Sequence, residues 1–230
     1  MPFEQAFTSL VAYLDAAAVA VFAITGALVA SRKQMDIFGF ALLGTVTGVG
    51  GGTVRDLLLG NLPVFWVKQP AYAAIALIVS GIVFFTAHIP ESRYRLILWL
   101  DAVGLSLVCV IGAERGLAAN AGAFIAVVMG VITAVFGGII RDVLGGESPV
   151  ILRREIYVIP ALIGALTFVS LTGFDAPYSV AAGAGFLLCL SVRGLALYHG
   201  WSLPPYKSRP GRASNSSSAV PTPGEEKRTP

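Results

Sequence analysis

Seven apolar runs, at about residues 9–31, 36–60, 70–88, 96–113, 120–146, 156–173 and 178–199, leave this chain one solvent in which to fold. A backbone in hydrocarbon must satisfy its own N–H and C=O groups, and ~20 apolar residues in α-helix cross the ~30 Å core of a bilayer. The runs therefore predict an all-α membrane protein with seven transmembrane helices. Composition agrees, since 13% of the 230 residues are charged, against roughly 25% in ordinary soluble domains. The third and sixth runs are short, yet within the ~17–25 residues of known spans. Pro160 falls in the first turns of the sixth, where a missing N–H costs least. The opening MPFEQAFTSL has no basic stretch ahead of its apolar residues, which predicts a first spanning helix rather than a cleaved signal peptide. From Trp201 the chain turns to Pro, Ser, Gly, Lys, Arg and Glu. Residues 1–200 are thus expected to form a single transmembrane domain and 201–230 a disordered cytoplasmic tail.

The positive charges orient the chain. With the N-terminus outside, Arg32, Lys33, Arg93, Arg95, Arg153, Arg154, Arg193 and the tail residues Lys207, Arg209, Arg212, Lys227 and Arg228 fall inside. Only Lys68 and Arg115 fall outside, an asymmetry that predicts N-outside, C-inside. The same scatter of Lys and Arg between apolar runs argues against a nucleic-acid partner. Cys109 and Cys189 sit in apolar runs without metal-ligand spacing, and His88 and His199 stand at helix ends, so no metal or cofactor is expected. GVGGGTVRD lacks the Gly-Lys-Ser/Thr ending of a phosphate loop. No catalytic constellation is evident, and the expectation is a protein that is not an enzyme.

One motif occurs twice. GGTVRDLLLGNLPV at Gly51 matches GGIIRDVLGGESPV at Gly137, and the step from Arg55 to Arg141 is 86 residues. The same step takes Asp15 to Asp101, Gly26 to Gly112, Phe38 to Phe124, Gly44 to Gly130, Thr47 to Thr133 and Pro63 to Pro149. About a third of the positions from Leu14 to Val64 are identical at this step, without a gap. The repeats are drawn at about 9–88 and 96–173, with a seventh helix at 178–199. Three helices per copy is an odd number, so the second copy enters the membrane from the opposite side. The prediction is an inverted 3+3 repeat, related by an axis in the membrane plane, plus one helix.

Within each motif, glycines precede opposite charges. Gly50, Gly51 and Gly52 in the second helix, and Gly137 and Gly138 in the fifth, permit a bend, a break or a close helix crossing. Tight packing alone is the competing explanation. An ionisable group inside a spanning helix costs at least ~2.5–3.5 kcal/mol and needs a partner or water. The candidates are Asp15, Arg55, Asp56, Asp101, Arg141 and Asp142. Depths at 1.5 Å per residue suggest Asp15 with Arg55 and Asp101 with Arg141. Contacts within each Arg-Asp motif, or to a freed carbonyl, compete with those pairs. Four carboxylates against two guanidinium groups favour cations along an aqueous path. The alternative is that Asp residues cap helix ends while Arg residues snorkel to the interface.

The paired GGGTVRD and FGGIIRD motifs in a 3+3+1 chain resemble the prokaryotic branch of the trimeric intracellular cation (TRIC) channel family. The resemblance covers about Leu10 to His199. It implies a homotrimer in which each subunit carries its own pore for monovalent cations, chiefly K+ with some Na+, lined by helices one, two, four and five. It further implies kinks of helices two and five at Gly50 to Gly52 and at Gly137 and Gly138, motif charges at Arg55, Asp56, Arg141 and Asp142, and a place in the cell inner membrane among its lipids. Inverted repeats are also common in alternating-access carriers, and some bacterial relatives are regarded as small-amino-acid transporters. A secondary transporter for a small solute such as glycine therefore stands as the second expectation.

Overall fold

The computed structural model describes residues 2–89, 93–153 and 155–202, with side chains from residue 11 onward. Arg154 and the expected tail from residue 203 lie outside the described residues. The described chain is all-helical, with eight α-helices: α1 (Pro2–Arg32), α2 (Ile37–Leu58), α3 (Phe65–Lys68), α4 (Ala71–Thr86), α5 (Arg93–Ala118), α6 (Ala123–Leu144), α7 (Val158–Gly173) and α8 (Tyr178–His199). A short 3-10 turn, Val150–Leu152, follows α6. Five helices are long and apolar enough to cross a bilayer, namely α2, α5, α6, α8 and the Val11–Arg32 stretch of α1. At 16 residues each, α4 and α7 are ~24 Å long, shorter than a full hydrocarbon core.

Local chemistry sets the helix ends. The Asp36 carboxylate accepts from the Gly39 amide at 2.8 Å and so starts α2. Gly60 and Gly146, with φ of +70° and +64°, turn the chain after α2 and α6 in the left-handed region that glycine enters without strain. At the other end of its length, α5 runs five residues beyond the boundary expected at 113. Its last turn carries Glu114 and Arg115, whose charges find partners within the protein rather than ending the helix. The small helix α3 was not foreseen from the sequence. It is the segment that delivers Phe65 to the end of α2.

The interior is made of small residues. Ala113, Ala126, Ala134, Ala161, Ala165 and Ala181 are buried with Leu105, Cys109, Ile111, Phe168 and Cys189 where α5 to α8 meet. A second cluster, Ala27, Leu28, Val29, Phe40, Leu43 and Val83, joins α1, α2 and α4. Large apolar side chains such as Phe38, Leu42, Ile78, Phe85, Phe124 and Leu188 face outward instead. This is the distribution expected of a protein solvated by lipid, where close backbone packing replaces the hydrophobic effect as the force between helices.

Successive spanning helices run in opposite directions, which gives the bundle two chemically distinct ends. The start of α1, the end of α2, the start of α4 and the end of α5 meet around one cavity, at what is here called the Arg55 end. At the opposite, Arg141 end, Arg32 of α1 reaches Glu147 beyond α6 at 3.1 Å. There too Arg153 donates to the Tyr94 hydroxyl at the start of α5, at 2.9 Å.

Candidate functional site

Both glycine motifs lie where α2 and α6 cross. A Cβ on Gly51 would run into the Thr133 carbonyl, and one on Gly137 would lie 3.1 Å from the Thr47 carbonyl oxygen. Each helix thus offers its glycine to the other's threonine. Neither α2 nor α6 is interrupted at these residues. The two threonine hydroxyls donate back to the carbonyls of Leu43 and Met129, at 2.6 Å each. They fill the hollows left by Gly26 and Gly112, where a Cβ would sit 2.6 Å from the hydroxyl oxygen in both cases. The glycines and threonines matched by the 86-residue step therefore occupy matching contacts in space.

The charges follow the same logic one turn further on. At the Arg141 end, Arg141 Nη1 lies 2.8 Å from Asp101 Oδ1, while its Nε and Nη2 both reach Asp142 Oδ1 at 2.9 Å. The second Asp142 oxygen accepts from the Val150 amide at 2.9 Å. Arg141 and Asp101 are each 1% exposed. A charge so deep is tolerated only when paired and hydrogen-bonded, and here Arg141 has two carboxylates and Asp142 both the guanidinium and the Val150 amide. At the Arg55 end, Arg55 Nε and Nη2 hold Asp56 Oδ1 at 2.9 and 2.8 Å, and Asp56 Oδ2 accepts from the Phe65 amide at 2.8 Å. Both motifs make an internal Arg–Asp bond and use the second carboxylate oxygen to fasten the chain that follows.

The fourth carboxylate departs from the expected pairing. Asp15 does not meet Arg55; its Oδ2 accepts from Arg115 Nη2 at 3.0 Å. Arg115 also approaches Glu114, at 3.5 Å, and is 39% exposed. The physical reason lies in the repeat itself: the position 86 residues before Arg115 is Val29, so among the described residues a second arginine reaches the aspartate at one end and not at the other. Arg55 turns instead to Asp56 and to the face of Phe65, 5.6 Å from its ring centre. Between the separated partners lies a cavity of about 460 Å³, lined by Asp15, Arg55, Asp56, Glu114, Arg115 and Tyr72 among others. At the Arg141 end the aspartate and arginine touch and are buried, and the cavity there, of about 280 Å³, is lined by Glu155, Arg193 and Tyr94 rather than by the motif charges.

Three further residues belong to this site. Tyr157 is buried, and its hydroxyl, Asp101 Oδ1 and Arg141 Nη2 converge on Gly138, where a Cβ would lie 2.7, 3.5 and 3.7 Å from them respectively. Arg193, expected as an inner-side flanking charge, is instead 1% exposed within the protein and pairs with Glu155 at 2.9 Å. Its guanidinium lies 5.1 Å from the Tyr157 ring centre. Tyr157 follows Tyr72 by 85 residues, one short of the motif step, because the second copy is a residue shorter after its proline. That slip hid the pair from a gap-free comparison. Nothing in the repeat pointed to Arg193, since α8 has no counterpart.

A bundle of apolar-faced helices with buried, mutually paired Arg and Asp at a glycine crossing defines a multi-pass membrane protein with polar groups in its interior. The family to which it belongs follows from its relatives. A family model described as "Glycine transporter" matches residues 12–88 and 98–172, two stretches whose starts are again 86 residues apart. The inner membrane protein YadS of Escherichia coli K12, of the group UPF0126, is 44% identical over 86% of this chain and 96% of its own. A UPF0126 membrane protein of Vibrio cholerae is 39% identical over 86% and 84%. Among solved structures, a TRIC trimeric intracellular cation channel orthologue from Rhodobacter sphaeroides is 60% identical with a TM-score of 0.82, covering 84% of this chain and all of that one. Another TRIC cation channel structure matches at 34% identity and a TM-score of 0.77 over 86% and 98%. The chain belongs to this prokaryotic TRIC family.

Proposed function

We propose that the protein is a channel for monovalent cations, chiefly K+ with some Na+, and not an enzyme. It acts as a homotrimer in the cell inner membrane, with one pore in each subunit, its N-terminus outside and its C-terminus cytoplasmic. The observation that carries this reading is the likeness to the Rhodobacter sphaeroides TRIC channel orthologue over that protein's whole length. In this reading α1, α2 and α4 form one half and α5, α6 and α7 the other, inverted in the membrane, with α8 outside the repeat and α3 a short helix at the outer surface. The pore runs beside the α2–α6 crossing, where Gly50 to Gly52, Gly137 and Gly138 thin the wall and supply the points at which the two helices kink when the pore opens. The cavity at the Arg55 end is the outer vestibule, and the Asp101–Arg141 pair with Tyr157 closes the inner end. No cofactor takes part beyond the permeant ion.

The description of the family model favours a second reading, a secondary transporter for glycine or a similar small solute. A cavity at one end and a buried Asp–Arg pair at the other suit an alternating-access carrier as well as a closed channel. Purified protein in planar bilayers under a KCl gradient separates the two. A channel gives discrete current steps reversing near the K+ potential. Saturable glycine uptake into vesicles without such steps overturns the channel reading.

A further inference from the structure

The two ends of the bundle use the same motif, yet at one the aspartate and arginine stand apart across a cavity and at the other they touch and are buried, and the difference is not confined to Arg115. At the Arg141 end a buried cation from outside the repeat stands behind the tyrosine. Arg193 of α8 donates to the Ile156 carbonyl at 2.9 Å, pairs with Glu155 at 2.9 Å and stacks on the Tyr157 ring. Three successive residues, 155 to 157, are thereby gripped by one guanidinium. The chain just past α8 adds a second hold, because Gly200, with φ of +65°, folds it back so that Ser202 bridges to Glu155. The Tyr157 hydroxyl is left against Asp101 and Arg141 over Gly138. At the Arg55 end, the corresponding Tyr72 packs on Phe65, 5.1 Å between ring centres. Phe65 covers Gly52, with a ring carbon 2.6 Å from where a Cβ would lie, so it takes over Gly52 the place that Tyr157 takes over Gly138. Among the described residues no cation stacks on Tyr72, and its side chain borders the open cavity.

We propose that Arg193 is the positioning residue of the inner gate, holding Tyr157 over the Asp101–Arg141 pair so that this end stays shut while the Arg55 end stands open. The helix outside the repeat is then what breaks the symmetry of the two halves. Stacking of a guanidinium on an aromatic ring strengthens as the cation is desolvated, and the Arg193 side chain is 1% exposed, at the wall of a cavity of about 280 Å³ that it lines with Glu155. A guanidinium also supplies several donors in a fixed plane, so the carbonyl, the carboxylate and the ring are held at once; a lysine ammonium at the same place cannot satisfy all three. Glu155 is 30% exposed, so the clamp can loosen from the solvent side without unpacking α8.

The proposal rests on the channel reading for its flux readout, and a second readout is independent of it. Cation flux into proteoliposomes and amide hydrogen exchange are measured for the full chain and for Arg193→Gln, Arg193→Lys, Glu155→Gln, Tyr157→Leu and the Arg193→Gln/Tyr157→Leu double variant. The expected result is a rise in flux of roughly ten-fold for Arg193→Gln, a smaller rise for Glu155→Gln, and only partial restoration by Arg193→Lys. Tyr157→Leu gives the same rise, and the double variant no more, because Arg193 acts through Tyr157. Exchange increases at residues 155–157 and also across Gly138 to Asp142. Unchanged or reduced flux in Arg193→Gln and Glu155→Gln beside a conducting wild type, or additive effects in the double variant, overturns the gate role. If the wild type carries no current, the channel reading fails, and exchange then decides alone. Faster exchange across Gly138 to Asp142 supports the clamp, and exchange there at the wild-type rate shows that Arg193 only anchors α8.

Discussion

The six buried charges Asp15, Arg55, Asp56, Asp101, Arg141 and Asp142 differ sharply in what each would cost to neutralise. Asp101 compensates an arginine that is itself 1% exposed, and its loss leaves that guanidinium with Asp142 alone. Removing one partner of a buried pair typically costs ~3–5 kcal/mol, whereas an ion pair open to water contributes ~0–1 kcal/mol. Asp15 faces Arg115, which is 39% exposed at the edge of a cavity. Asp101→Asn is therefore expected to lower the midpoint of thermal unfolding in detergent far more than Asp15→Asn. Equal shifts would mean that the two aspartates are equally solvated. The sequence made both residues legible as buried charges needing partners, because a carboxylate within an apolar run has few alternatives. It did not reveal which partner Asp15 takes. That choice depends on Arg115, one residue of a charged last turn that resembles an ordinary membrane flank.

Among the elements, the crossing of α2 and α6 depends on how closely two backbones approach. Overpacking a close contact costs ~1–3 kcal/mol, and at Gly51 the obstacle to a Cβ is the backbone carbonyl of Thr133, which cannot rotate aside as a side chain can. Gly51→Ala is expected to destabilise the protein within that range. Gly173→Ala, where a Cβ meets nothing within 4 Å, should leave the unfolding midpoint unchanged. A Gly51→Ala protein as stable as the wild type would show that the helices separate at no cost. Helix positions were readable from hydropathy because the bilayer imposes a single element type. Two things escaped that signal. The four-residue helix α3 is too short to carry a periodicity. The end of α5 passes through Glu114 and Arg115, where hydropathy falls although the helix continues on internal ion pairing. The glycine motifs announced a departure from ordinary helix packing, and continuous helices crossing closely are what the structure places there.

For the whole molecule, the informative comparison is between its two ends. Position for position, the first copy offers Val29 where the second offers Arg115, and the Val29 side chain packs against Gly145 beyond the end of α6, 2.7 Å from where a Cβ would lie. At the Arg141 end Asp101 is consequently free to bind Arg141, and the two touch at 2.8 Å. At the Arg55 end Asp15 is held by Arg115, and a cavity of about 460 Å³ separates it from Arg55. If the competition for Asp15 keeps that cavity open, removing the competitor should make the two ends alike. Arg115→Val restores the residue type of the other copy, leaves Asp15 without its guanidinium, and gives it the same reason to bind Arg55 that Asp101 has to bind Arg141. Under the channel reading, K+ flux through proteoliposomes falls in Arg115→Val, and adding Asp15→Asn recovers part of the loss, because an amide has no charge with which to draw Arg55 across the cavity. A neutral result in the single variant, or a deeper loss in the double, would show that the vestibule is held open by Phe65 and α3 rather than by charge.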